Sequence, residues 1–173
     1  ASILTNTATA WVNQITAGRT VTLGVTSIQG GEAPNVIPDT ADILGSLRFF
    51  NDEEGEKAVR IFKNVAEHTA AMNNCQVQFD DRFCVLCAPV INDEYYSNLI
   101  SAALPEVLLE NVTVSSCEPW YASESFSCYR RICPSVLAHL GINNPSYGSG
   151  AAHHNGFFDV DEGVLSTGVI ATL

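Results

Sequence analysis

An α+β fold is predicted for this chain, and three observations predict it. The hydrophobic period switches so that residues 1–87 read in the order helix, strand, strand, helix, strand. A polar, turn-forming break at residues 91–93 is followed by a stretch of different composition. Between the first two strand patterns lies Gly30-Gly31-Glu32-Ala33-Pro34-Asn35-Val36-Ile37-Pro38-Asp39, whose paired glycines and two prolines exclude both helix and central strand.

In residues 6–19 the apolar side chains of Ala8, Trp11, Val12 and Ile15 recur at three and four, with Thr5 or Asn6 as N-cap and Gly18 near the end. Residues 20–29 alternate Val21, Leu23 and Val25 with Thr22, Gly24 and Thr26, the period of a half-buried strand. The glycine and proline segment that follows is a shaped loop with two readings. It is a plain hairpin connection, or it presents the polar side chain of Asn35 to something outside the sheet. Residues 41–50 carry Ile43, Leu44, Leu47, Phe49 and Phe50 as a second strand. Asp52, Glu53 and Glu54 then place negative charge at a helix N-terminus, and Ala58, Ile61, Phe62, Val65, Ala66, Thr69 and Met72 keep a 3.6-residue period up to Asn73-Asn74. Residues 75–87 alternate again through Val77, Phe79, Phe83 and Val85. This order is a ferredoxin-like open sandwich, β-α-β-β-α-β with helices on one face, lacking its first strand; that strand lies upstream of residue 1, or the unit is complete without it.

Beyond the break, residues 94–109 read as a helix broken at Pro105, residues 112–116 as a short strand, and residues 125–140 as a helix interrupted near Pro134. A loop rich in Gly, Asn and Ser covers residues 141–150, and an amphipathic segment closes the chain at 160–173. The predicted division is therefore residues 1–91 and 92–173.

Composition narrows the function. A length of 173 residues and a hydrophobic content of 46% suffice for one domain or two small ones. The net charge of −11, with eight Lys and Arg, argues against a nucleic-acid surface. No run of eighteen apolar residues and no signal-type N-terminus appears, so the expectation is a cytoplasmic chain without a membrane partner. The six cysteines, Cys75, Cys84, Cys87, Cys117, Cys128 and Cys133, do not have the density of a disulfide scaffold and are read as mostly buried reduced thiols.

Few residues suggest chemistry. His153-His154, on a loop next to Gly156, can anchor one imidazole and offer the other as a metal ligand, or both can be idle on the surface. Cys84-x-x-Cys87 has zinc-knuckle spacing without a second pair. Glu124 is a functional carboxylate or a residue suited to the N-terminal end of the next helix. Asn111-Val112-Thr113 matches a glycosylation sequon, and there is no nucleophile elbow, phosphate loop or HExxH.

The loop at 30–39, followed by Ile43-Leu44-Gly45-Ser46-Leu47-Arg48, resembles the GG-x-A-x-NVIP-D and G-x-x-R signature in the lid domain of the M20 metallopeptidase and amidohydrolase family. Further similarities come in family order. Ala88-Pro89-Val90-Ile91-Asn92-Asp93 resembles its P-x-x-ND junction, residues 123–129 its S-E-D-F-x-x-Y segment, and residues 153–158 its HHSPxF segment, with Asp161-Glu162 after it. The resemblance is greatest to the aminoacylase-like and auxin-conjugate hydrolase branch and covers nearly the whole chain. It implies a lid and dimerisation domain at 1–91 and the C-terminal part of a catalytic domain at 92–173. The implied parent hydrolyses amide bonds of N-acyl amino acids or small peptides with two divalent metal ions, zinc in the first instance and manganese or cobalt as alternatives. It forms a homodimer through the lid. Position by position, His154 matches the family's last metal ligand, Asn35 and Arg48 match lid contacts to substrate, and Glu124 lies at the edge of the site. No catalytic residue falls within the chain, because the segments carrying the remaining ligands and the catalytic glutamate do not occur in it; the chain alone is expected to be inactive. Asn155-Gly156 stands where the family has Ser-Pro, and Ser125 where it has an acidic residue. A non-enzymatic association module, pairing through an edge strand or helix, is the competing reading.

Overall fold

In the computed structural model, residues 1–15, 20–80, 88–108 and 113–173 are described. They form two compact units, one of Ala1–Val90 with Trp120–Cys128 and one of Ile91–Pro119 with Tyr129–Leu173.

The first unit is built in the order α1 (Ser2–Gln14), β1 (Val21–Gln29), β2 (Asp42–Phe49) and α2 (Asp52–Met72). Helix α1 starts a turn earlier than the apolar period suggests, because its polar residues also face inward. Thr7 is buried with its hydroxyl on the Ile3 carbonyl at 2.7 Å, and Asn6 Nδ2 donates to Thr69 Oγ1 of α2 at 2.9 Å. At the other end Lys57 Nζ donates to the Gln14 carbonyl at 2.6 Å, a cation satisfying a terminal acceptor of α1. Strands β1 and β2 pair antiparallel from Val21 opposite Phe49 to Gln29 opposite Asp42, with an irregularity between Val25 and Ser27.

Helix α2 has the caps its sequence calls for. Asn51 Oδ1 accepts from the amides of Glu53 at 2.9 Å and Glu54 at 3.2 Å, and three acidic residues occupy the first turn. Its buried residues are Gly55, Ala58, Ile61, Ala66, Thr69 and Ala70. Small side chains dominate this face, so α2 lies close to its neighbours, and Gly55 sits directly against the Phe49 ring. Met72 continues the period in sequence but is 82% exposed at the helix end. The α+β class is as predicted, with a two-stranded antiparallel sheet among the described residues. The expected third strand is not seen in residues 75–80, and residues 81–87 lie outside the described ones.

The second unit starts at a polar junction. Asn92 makes two bonds to one backbone residue, donating from Nδ2 to the Leu137 carbonyl and accepting the Leu137 amide at Oδ1, both at 2.9 Å. Asp93 donates its amide to the Ser135 carbonyl at 3.0 Å and caps α3 (Glu94–Val107) by accepting from the Tyr96 amide at 3.0 Å. These contacts explain one correction. Residues 134–140 are not the end of a helix, because their backbone is engaged by Asn92 and Asp93 and because Pro134 disfavours helix at Cys133. Only a 3-10 helix, Ser125–Arg131, remains of that prediction. Helix α3 runs through Pro105 rather than breaking there; only two residues follow, so the missing donor disturbs just the last turn. Residues 113–116 are not a strand, and residue 112 is outside the described ones. The tail forms a 3-10 turn, Glu162–Val164, and α4 (Leu165–Thr172), which packs on α3.

The cysteines also depart from expectation. Cys75, Cys117, Cys128 and Cys133 are free and exposed, since they lie after α2, in loops and in the 3-10 segment, outside a core made of Ala, Val and Ile. Cys84 and Cys87 fall outside the described residues. Among the described residues no helix is long and apolar enough to cross a membrane.

Candidate functional site

The connection between β1 and β2 is both a hairpin and a projecting loop. Its neck is narrow: a Cβ on Gly30 would lie 3.1 Å from the Ala41 Cβ, and Gly31 takes φ +82°, a left-handed conformation suited to glycine. Beyond the neck, Val36 N donates to the Ala33 carbonyl at 3.3 Å and Asn35 is exposed, next to Val36 and Ile37 at 60% and 91% exposure. Such a loop holds its shape through Pro34, Pro38 and the glycines while leaving the Asn35 amide in solvent.

Arg48 stands on β2 opposite Thr22 and is half-buried. Because Phe49 points at Gly55 of α2, strand alternation turns Arg48 to the sheet face away from that helix. Glu124 lies in the segment 120–128, which belongs to the first unit and is joined to the end of β2 by an edge-on contact of Phe50 and Tyr121, centroids 4.6 Å apart. Its Oε1 accepts from the Phe126 amide and the Ser125 hydroxyl, each at 3.2 Å, so the exposed carboxylate caps the 3-10 helix. Ser125, at the position where an acidic residue was expected, serves as its donor.

His154 lies in the second unit, on an exposed loop, with φ +61°. A non-glycine residue at that angle is held by its neighbours. Asn155 supplies part of the hold: its Oδ1 accepts the Phe157 amide at 2.9 Å and its carbonyl the Phe158 amide at 3.0 Å, an Asx turn where a Ser-Pro pair was expected. His153 rests edge-on against Phe158 at 5.3 Å. Of the two imidazoles, His153 is thus the one packed within its own loop, and His154 is set in the left-handed position beside it. Asn35, Arg48 and Glu124 belong to one unit and His154 to the other.

No group of three or more His, Cys, Asp or Glu able to hold a metal occurs among the described residues. One exposed imidazole fits as a single donor to a shared metal centre, whereas a co-catalytic site needs about three protein ligands per ion. Among the described residues the donor set therefore falls short of a co-catalytic site.

Sequence reasoning missed a polar cluster behind this loop. Asn144 Nδ2 donates to Asp161 Oδ2 at 2.7 Å, the Asn144 amide donates to Ser149 Oγ at 2.5 Å, and Ser149 is buried. The visible signals were the Asn144-Pro145 turn start and the acidic Asp161-Glu162 pair before an apolar run, each local; nothing local linked them.

Residues 6–73 match the peptidase dimerisation domain of the M20 family. The similarity extends further along the chain. It is 28% identical to the IAA-amino acid hydrolase ILR1-like 4 of Arabidopsis thaliana over 147 residues, 83% of this chain and 33% of the relative. The part at residues 6–73 is thus similar to the dimerisation domain of M20 peptidases. Thermostable carboxypeptidase 2 of Saccharolobus solfataricus is likewise 28% identical over 86% of this chain and 37% of its own length. N-acetylcysteine deacetylase of Bacillus subtilis is 28% identical over 83% of this chain and 35% of its own. The chain thus spans about a third of the length of the curated relatives it matches. No solved structure matches it at a significant level.

Proposed function

We propose that this chain is the lid and dimerisation domain, residues 1–91, and the C-terminal part of the catalytic domain, residues 92–173, of a metal-dependent amidohydrolase. Its substrates are N-acyl amino acids or small peptides. The observation that carries the reading is the dimerisation-domain match at 6–73, within a similarity to an IAA-amino acid hydrolase, a carboxypeptidase and an N-acetylcysteine deacetylase that covers 83–86% of the chain. Two divalent ions, zinc in the first instance, would supply a nucleophilic water and polarise the amide carbonyl when bound. What this chain adds is positioning. His154 offers one imidazole from a rigidly turned loop, Asn35 offers an amide donor and acceptor toward the substrate carbonyl, and Arg48 offers a guanidinium suited to the carboxylate of an acyl amino acid. Glu124 borders the site while capping its own helix. The first unit carries the homodimer contact.

In the hydrolase that contains this chain, His154→Ala should lower bound zinc and abolish metal-dependent release of the amino acid. Full zinc content and turnover in that variant would show that His154 is not a ligand. Turnover of an N-acyl amino acid by the zinc-loaded 173-residue chain would refute the proposal that the chain lacks the remaining catalytic parts.

A further inference from the structure

The segment carrying His154 leaves and re-enters the second unit through one polar neck. At its start Ser149, 7% exposed, accepts the Asn144 amide at Oγ at 2.5 Å, and its hydroxyl lies 3.1 Å from the Asn144 carbonyl. At its end Asp161 donates its amide to the Ile142 carbonyl at 3.0 Å and accepts Asn144 Nδ2 at 2.7 Å. Asn144 therefore touches both ends of the loop at 150–160. Its own Oδ1 is occupied by the Ser146 amide at 3.1 Å, and Asp161 Oδ1 by the Gly163 amide at 2.9 Å. Each side chain of the pair holds a local turn with one atom and its partner with the other. The close fit extends to Gly150, φ +126°, where a Cβ would lie 2.6 Å from Asn143 Oδ1.

We propose that Asn144 and Asp161 are positioning residues for His154, a side-chain clamp that closes the neck of its loop and keeps the imidazole in the orientation set by the left-handed backbone. The inference rests on the reading of His154 as a ligand only for its functional consequence; the clamp itself is a statement about loop order. A loop tied at both ends explores fewer conformations, so a ligand on it is presented at lower entropic cost. The bonds of the clamp run to other residues than His154, so its effect must pass through the backbone of residues 150–153 and 155–160.

The geometry provides a reversal test. Asn144→Asp sets two carboxylates against each other and loses the clamp bond. Asn144→Asp combined with Asp161→Asn restores all three bonds with donor and acceptor exchanged. The carboxylate then at position 144 would accept from the Ser146 amide and from the side-chain amide then at position 161, whose oxygen would accept from the Gly163 amide. Backbone ¹⁵N relaxation of the 173-residue chain reads the result. Order parameters at residues 151–158 are expected to fall from about 0.85 to below about 0.6 in the single variant and to recover in the double, with α3 unchanged. Wild-type order parameters in the single variant would overturn the proposal. If the single variant loosens α3 and α4 as well, the double decides: recovery supports the clamp and failure overturns it. In the hydrolase containing this chain, zinc affinity should drop about tenfold in the single variant and return in the double. Should His154→Ala leave zinc binding unchanged, the ligand reading fails while the relaxation result stands or falls by itself.

Discussion

Gly55 lies in the first turns of α2 and is buried against β2, and adding a methyl group there sets two effects in competition. Glycine to alanine in a helix interior gains about 1 kcal/mol through backbone entropy and helix propensity. A Cβ built at Gly55, however, lies 2.7 Å from three atoms of the Phe49 ring. Carbon atoms in contact rest about 3.5–4.0 Å apart, so the overlap is about 1 Å against a ring rather than against a flexible chain end. Overpacking of this kind costs about 1–3 kcal/mol. The net expectation for Gly55→Ala is a loss of up to about 2 kcal/mol, centred near 1, the packing term outweighing the propensity term. Urea unfolding followed by far-ultraviolet circular dichroism measures it. Shortening the ring with Phe49→Leu should reverse the sign, so that adding Gly55→Ala to that background stabilises by about 0.5–1 kcal/mol. A single variant about 1 kcal/mol more stable than wild type would refute the close packing of α2 on β2.

Two further substitutions test the local devices of the fold. Asn51→Ala removes the acceptor for the Glu53 and Glu54 amides and should cost about 1 kcal/mol in the same unfolding assay. Asn92→Asp turns a donor facing the Leu137 carbonyl into an acceptor and should cost about 0.5–1.5 kcal/mol, the bond being exposed, with faster amide exchange at Leu137 as its signature.

Helix α2 was legible almost residue for residue, since its period and acidic first turn act between near neighbours, although its Asn51 cap emerged only in the structure. The strands around the 30–41 loop were equally local, and their pairing followed from adjacency. The start of α1 was missed because Thr7 and Asn6 are inward-facing polar residues satisfied by Ile3 and by Thr69, so hydrophobic period alone misjudged the face. The burial of the cysteines was misread by applying an average tendency of the residue type to positions after helices and in loops. Of the candidate site, the loop bearing Asn35 and the pair His153-His154 were visible as polar residues among turn formers. Which imidazole packs against Phe158 was not visible.

By itself the sequence determined the α+β class, the two strands and the long helix between the conspicuous loops, and, through ordered short motifs, the resemblance to M20 hydrolases. Each rests on interactions between near neighbours or on residues compared one position at a time. Only the tertiary structure decided what Asn92, Asn144 and Asp161 do. Asn92 reaches a backbone 45 residues away and Asn144 a carboxylate 17 residues away. Bonds of that range depend on how the chain returns upon itself, and no local pattern of period, charge or turn chemistry encodes that return.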